Sequence, residues 1–179
     1  MPDPRIERTK AHVLKTAREM IAARSGEPLT FSRLADVAQV SRRTLYTHWG
    51  TVERLIGEAV TARGEEPEIV KDGFTDRQIL RKLLERTRDR LTDPITHLAV
   101  AGLIGQASQS SDAQGTLADL GTARLGDYAA ILGPITHEQY SRFVGPLYYS
   151  ALVLGEPISD ALIDDLVEQG LDILGLSKD

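Results

Sequence analysis

Apolar residues recur along most of this chain at steps of three and four, and no stretch alternates apolar and polar positions convincingly enough to read as a strand. The pattern predicts an all-α fold. A first helix is expected over residues 4–23, with Asp3 as its cap and Pro4 at the first helical position, and it ends at Ser25-Gly26. It turns Ile6, Val13, Leu14, Ala17, Met20 and Ile21 to one side. Thr30 can cap a short second helix whose Phe31, Leu34, Ala35 and Ala38 share a face. Gln39 and Val40 make a turn, and Ser41 caps a third helix, Arg42–Trp49, in which Leu45 and Trp49 lie one turn apart and face inward. A fourth helix follows Thr51 over 52–62. The run Arg63-Gly64-Glu65-Glu66-Pro67 interrupts the periodicity and marks a domain boundary, giving domains 1–63 and 64–179.

Beyond the boundary, helices are expected over 75–91, 94–108, 113–132, 137–154 and 160–174, the last two joined through Gly155-Glu156-Pro157. The helix from His137 carries Tyr140, Phe143, Val144, Leu147, Tyr148, Ala151 and Leu152, and the last carries Leu162, Ile163, Leu166, Val167, Gly170, Leu171 and Leu174. Each apolar face is wider than one internal neighbour requires, although an intramolecular core would also use it. Pro146 removes one backbone hydrogen bond from its helix and should bend it.

Net charge is −5 over 179 residues, which argues against a nucleic-acid partner only if the charge is spread evenly. It is not. Residues 1–63 hold eleven Lys and Arg against seven Asp and Glu, a net of +4, and residues 64–179 carry −9. The basic part contains the helix-turn-helix layout, and with Leu45 and Trp49 inward the third helix presents Arg42, Arg43, Thr44, Tyr46, Thr47 and His48. Arg can pair with guanine edges, Thr can bond a base or touch a thymine methyl, and Tyr and His can donate to phosphate oxygens. Backbone N–H groups at the helix start near Ser41 favour a phosphate there. Such a face suits a major groove, while a solvated surface helix could carry the same residues.

The pattern Ser41-x-x-Thr44-Leu45-Tyr46-x-His48-Trp49, followed by a new helix at Thr51, resembles the N-terminal DNA-binding domain of TetR family transcriptional regulators over about residues 5–60. The resemblance implies an all-α protein with an N-terminal helix-turn-helix domain and a helical C-terminal domain for ligand binding and dimerisation. It implies a homodimeric, ligand-responsive regulator acting as a repressor, bound to a near-palindromic operator in double-stranded DNA and released by a small-molecule effector. The DNA contacts it points to are Ser32, Arg33, Ser41, Arg42, Arg43, Thr44, Tyr46, Thr47, His48 and Thr51. Two final helices pairing with those of a second subunit would place Phe143, Leu147, Tyr148, Leu162, Leu166 and Leu171 in the dimer interface. Residues between the linker and that bundle would line the effector cavity, with His97, Gln106, Tyr128 and Tyr149 as candidates. The chain departs from the pattern twice, carrying Gln39 at a turn position usually held by Gly and Val52 where a phosphate-binding Lys is common.

Catalytic chemistry finds no purchase in the sequence. His137-Glu138 begins a zinc-protease pattern, but the second His position holds Ser141. Gly170 and Gly175 have phosphate-loop spacing, yet Leu176 and Ser177 follow where Lys and Ser or Thr are needed. His12, His48, His97 and His137 are scattered, with surface positions expected for His12 and His137, and cysteine is absent. No enzyme activity, metal or cofactor is expected. The charged beginning, with Arg5, Glu7, Arg8 and Lys10, does not resemble a secretory signal, and the least polar run, 98–107, is too short to span a bilayer. A cytoplasmic protein with no membrane partner is expected. Two other readings remain: an all-helical interaction module whose basic face meets another acidic partner, and a small-molecule binder or cofactorless enzyme with a vestigial DNA head.

Overall fold

The computed structural model describes residues 4–23, 28–61 and 72–177. Over these the regular elements are all helices, α1 Pro4–Ala22, α2 Phe31–Ala38, α3 Arg42–Trp49, α4 Val52–Thr61, α5 Asp76–Thr92, α6 Pro94–Gln106, α7 Ser111–Leu132, α8 His137–Tyr148 and α9 Asp160–Leu174. The expected helix end at Ser25-Gly26, the Asp3 cap and the boundary run 63–67 lie outside the described residues.

The chain forms two compact units, residues 1–65 with 98–119, and residues 66–97 with 120–179. The division is therefore not a single cut along the chain. Most of α6 and the first part of α7 group with the N-terminal helices. A reason is visible at Gly57 of α4, where a Cβ would stand 2.7 Å from the Cγ2 of Thr116 on α7. Only glycine lets the Thr116 methyl approach this close.

Within the first unit, Val13, Leu14 and Ala17 of α1, Phe31, Leu34, Ala35 and Ala38 of α2, Leu45 and Trp49 of α3, and Leu55 and Ala59 of α4 form one core. Three polar ties fix the helices around it. The His12 Nε2–H donates to the carbonyl of Ala38 at 3.1 Å, Arg18 donates to the carbonyl of Ala59 at 3.0 Å, and the Trp49 indole donates to Glu58 at 2.8 Å. His12 is exposed, as expected, and serves the last turn of α2.

The second unit is built around Ile79, Leu80, Leu83 and Leu84 of α5, packed on Tyr128, Phe143, Val144 and Leu147 and on Ile163, Leu166, Val167 and Leu171 of α9. Thr75 and Thr136 begin α5 and α8 with reciprocal capping boxes through Gln78 and Gln139. Along one side of α5 three arginines meet three acids of α9 in antiparallel order: Arg77 with Glu168, Arg81 with Asp164, and Arg88 with Asp160, the last at 2.6 Å. Gly170 of α9 faces Leu80 and Phe143, and a Cβ there would fall 2.6 Å from Leu80 Cδ2. Beyond Tyr148, α8 continues as a wider π-helical segment, Tyr149–Leu154, which starts three residues after Pro146 and ends at Gly155 in the left-handed region.

Candidate nucleic-acid interface and a buried tyrosine cluster

Short helices need defined ends, and α2 and α3 have them. Thr30 Oγ1 accepts from the Arg33 N–H at 3.3 Å, and Ser41 Oγ accepts from the Thr44 N–H at 3.0 Å. Between them Gln39 takes φ 54° and ψ 41°, the left-handed conformation expected of this turn, with its N–H donating to the carbonyl of Ala35. A non-glycine residue there costs roughly 1–2 kcal/mol. The Gln39 side chain recovers part of it by donating to the carbonyl of Asp36 at 2.6 Å.

Around this frame Leu45 and Trp49 are buried, and Ser41, Arg42, Arg43, Tyr46 and Thr47 are exposed. Thr44 and His48 are half-buried. The Thr44 hydroxyl lies 2.8 Å from Ser41 Oγ, and the His48 ring stands edge-on to Trp49 at 5.7 Å. Arg42 reaches back to Ser32 Oγ at 3.4 Å, so a side chain of α2 and one of α3 meet on the exposed side. Arg33, half-buried, donates to the carbonyl of Pro28 at 2.9 Å. The Tyr46 ring packs edge-on against Phe31 at 4.8 Å, which fixes the ring and leaves the residue exposed. Thr51 caps α4 by accepting from the Arg54 N–H at 3.3 Å, and Val52 beside it packs against the core. Arg54 itself is exposed in the first turn of α4, a cation two residues past Val52 that helical spacing alone does not single out.

In the second unit the candidate ligand residues part company. Tyr128 is buried, His97 is half-buried and Tyr149 is exposed; Gln106, which falls in the first unit, is exposed as well. What the structure gathers around Tyr128 is a set of residues that the sequence reading did not combine. The Tyr128 ring meets Tyr140 edge-on at 5.2 Å and Phe143 at 5.9 Å. The Tyr128 hydroxyl lies 2.8 Å from Thr87 Oγ1, and because the Thr87 hydroxyl donates to the Leu83 carbonyl, Tyr128 is the donor in this pair. The Tyr140 hydroxyl is buried without a hydrogen-bond partner. Asp127, one residue before Tyr128, accepts from Arg90 at 3.0 Å and from Arg124 at 3.4 Å. Burial pushes the Tyr128, Tyr140 and Tyr148 hydroxyls above the ordinary tyrosine value, with Arg124 opposing the rise at Tyr140 and Tyr148.

The expected interface residues divide in the same way. Phe143, Leu147, Leu166 and Leu171 are fully buried within the unit's own core, so they have no surface left to offer a second subunit. Tyr148 and Leu162 are half-buried. Large apolar side chains do stand exposed just beyond α8, at Tyr149 (55%), Val153 (67%) and Leu154 (49%). Among the described residues no grouping of His, Asp and Glu could hold a metal ion, and no helix is long and apolar enough to cross a membrane.

The first unit is thus a capped helix-turn-helix with an exposed basic face, the arrangement by which such motifs enter a major groove. Residues 13–59 match the family of bacterial regulatory proteins called the tetR family. Among solved structures the chain is similar to a TetR transcriptional regulator from Agrobacterium tumefaciens, at 22% identity and a TM-score of 0.60, over 92% of this chain and 93% of that one. At that identity the likeness shows the fold. No curated protein matches the chain. The match over residues 13–59 falls on the helix-turn-helix unit, and the chain as a whole shares the fold of that TetR regulator.

Proposed function

We propose that this protein is a repressor that binds a near-palindromic operator as a homodimer and leaves it when a small-molecule effector binds. The observation that carries the DNA half is the face of α3, where Arg42, Arg43, Tyr46 and Thr47 stand exposed around the buried pair Leu45 and Trp49. Arg43 and Thr47, one turn apart, read base edges in the major groove. Tyr46 and His48 bind phosphate, Ser32, Arg33, Arg42 and Thr44 buttress the docked helix, and the N-terminal N–H groups at Ser41 and Thr51 hold the flanking backbone. Arg54 supplies the charge that Val52 lacks.

Two copies of this head bind successive major grooves roughly 34–36 Å apart. The dimer face is the exposed apolar stretch at Tyr149, Val153 and Leu154 with the half-buried Tyr148 and Leu162 beside it. An effector that prefers a conformer with badly spaced heads weakens DNA binding by the same free energy with which DNA weakens its own binding, typically about 1–3 kcal/mol.

Selection of binding sites from genomic fragments at low salt, followed by affinity measurements on the selected operator, tests the reading. Replacing Arg43 with Ala should relax preference at one position per half-site and cost about 1–3 kcal/mol for each lost bidentate pair. Tyr46→Phe should weaken operator and random DNA alike. Failure to select any preferred sequence would remove the regulator reading in favour of a basic surface for another acidic partner.

A further inference from the structure

The helix α3 is eight residues long and buries Leu45 and Trp49, one turn apart, in the core of the first unit. Apolar packing has no direction, so anchors of this kind set how close α3 lies to the core more firmly than they set its tilt. At its N-terminal end Arg42 reaches Ser32 of α2 at 3.4 Å. At its C-terminal end α3 passes into α4 through Gly50 and Thr51, with Gly50 at φ 72° and the Thr51 N–H returning to the Trp49 carbonyl at 2.8 Å. Glycine is the most permissive residue, and a connection through it leaves the angle between the helices to other contacts. A directional contact bridges that connection. The Trp49 indole N–H donates to Glu58 Oε2 at 2.8 Å. The turn of α4 that carries Glu58 is itself tied down, because the carbonyl of the next residue, buried Ala59, accepts from Arg18 of α1 at 3.0 Å. Filling the core does not call for this bond. A phenylalanine in place of Trp49 would occupy much of the same space without a donor, whereas a buried indole N–H obliges the fold to supply an acceptor. The acceptor supplied is an exposed acid, in the part of the chain whose net charge is +4 and where a carboxylate works against attraction to phosphate. Next to Trp49, the His48 ring stands edge-on to the indole at 5.7 Å.

We propose that Glu58 is a positioning residue for DNA recognition: by holding the Trp49 indole it sets the angle of α3 to α4, and with it the aim of Arg43 and Thr47 at base edges, while touching no DNA itself. Bidentate contacts to a base need both bonds aligned, so they suffer more from a change of angle than contacts to phosphate do. Losing the brace therefore reduces discrimination before it reduces attraction. Removing the carboxylate also removes a negative charge, so affinity for random DNA holds or rises. A bond that only stabilised the fold would leave the ratio of the two affinities unchanged in folded protein. The proposal rests on the DNA-binding reading above and adds to it a residue outside the contacting set.

The test measures affinity for the selected operator and for random DNA, at one salt concentration and well below the melting temperature, on the full chain and its variants. Glu58→Ala should lower the operator-to-random ratio about fivefold or more, the scale of one misaligned bidentate pair, with random DNA bound as well as before or better. Glu58→Gln keeps an acceptor without the charge and should retain most of the ratio. In a Trp49→Phe background, which has already lost the donor, Glu58→Ala should have no further effect on the ratio. Trp49 is the chain's one tryptophan, so its indole N–H gives a single nitrogen–proton resonance in the DNA-free protein. Glu58→Ala should move that resonance upfield in the proton dimension, and Glu58→Gln should move it less. The proposal is overturned if Glu58→Ala lowers the melting temperature and leaves the ratio unchanged, since the bond would then be structural only. It is equally overturned if Glu58→Gln loses as much of the ratio as Glu58→Ala, which would make the charge and not the bond the agent, or if the indole resonance answers to neither variant. A parent chain that prefers no sequence would overturn the DNA-binding reading and this role with it, a result told apart from the others because it appears before any substitution is made.

Discussion

Gln39 sits in the left-handed region at the turn between α2 and α3, where the Cβ of an L-residue crowds its own backbone. Glycine would escape that crowding at the expense of greater freedom in the unfolded chain, which offsets about 0.5–1 kcal/mol of the gain. Gln39→Gly should therefore stabilise the protein by about 0.5–1 kcal/mol. Urea unfolding should show a higher midpoint, with operator affinity unchanged because Gln39 is no base contact; a lower midpoint would mean that the side-chain bond to Asp36 outweighs the strain. At this scale the sequence was most legible where a residue acts on its own backbone. The caps at Thr30, Ser41 and Thr51 and the conformation of Gln39 follow from local rules. The outward direction of Thr44 was overstated, since its hydroxyl turns back to Ser41. Helical spacing assigns a face to a residue without saying what else lies within its reach.

The helices themselves were readable from periodicity to within a few residues, and α9 falls on Asp160–Leu174 as expected. Two things were not readable. A period of 3.6 shows that a helix has an apolar face without naming the neighbour that covers it, so Phe143, Leu147, Leu166 and Leu171 were expected at a dimer interface and are found in the unit's own core. The pairing of α5 with α7 and α8 across the tyrosine cluster depends on contacts some forty residues apart, such as Thr87 with Tyr128, and no local rule encodes them. That junction makes a prediction about alkali. Tyr128, Tyr140 and Tyr148 are kept neutral in the fold above their ordinary value of 10.0, so the unfolded chain loses protons first as pH rises. The stability they contribute is whole below pH 10 and declines above it, by about 1.4 kcal/mol per pH unit for each tyrosine still neutral in the fold. Unfolding free energies measured by denaturant from pH 9 to pH 12 should fall accordingly, and Tyr140→Phe should make the fall shallower. A curve flat to pH 12 would show that the three hydroxyls ionise freely.

At the scale of the molecule, the proposed dimer makes an exposed apolar stretch intelligible. Val153→Glu would place a charge at the centre of that face without touching the core, so the variant should keep its helical signal and sediment as a monomer. A wild-type chain that is already monomeric at micromolar concentration, or a Val153→Glu variant that stays dimeric, would sink the assignment. Leu166, fully buried, offers no such test because a charge there would unfold the unit. The charge asymmetry between residues 1–63 and 64–179 was visible in the sequence because it needs only counting. The grouping of 98–119 with the N-terminal helices was not, because it joins residues far apart along the chain, such as Gly57 and Thr116. The ion pairs of Arg77, Arg81 and Arg88 with α9 have a consequence of another kind. Exposed pairs of this sort contribute roughly 0–1 kcal/mol each, too little to explain why three of them stand in a row. Their value lies in comparison. If α9 slid by one turn so that Glu168 met Arg81, Asp164 would arrive opposite Glu85, which lies one turn beyond Arg81 on α5. Asp164 would then exchange attraction for repulsion, while Gly170 would lose its place over Leu80 and Phe143. The ladder works as the teeth of a ratchet, adding little to the depth of the native minimum and raising the energy of the neighbouring one.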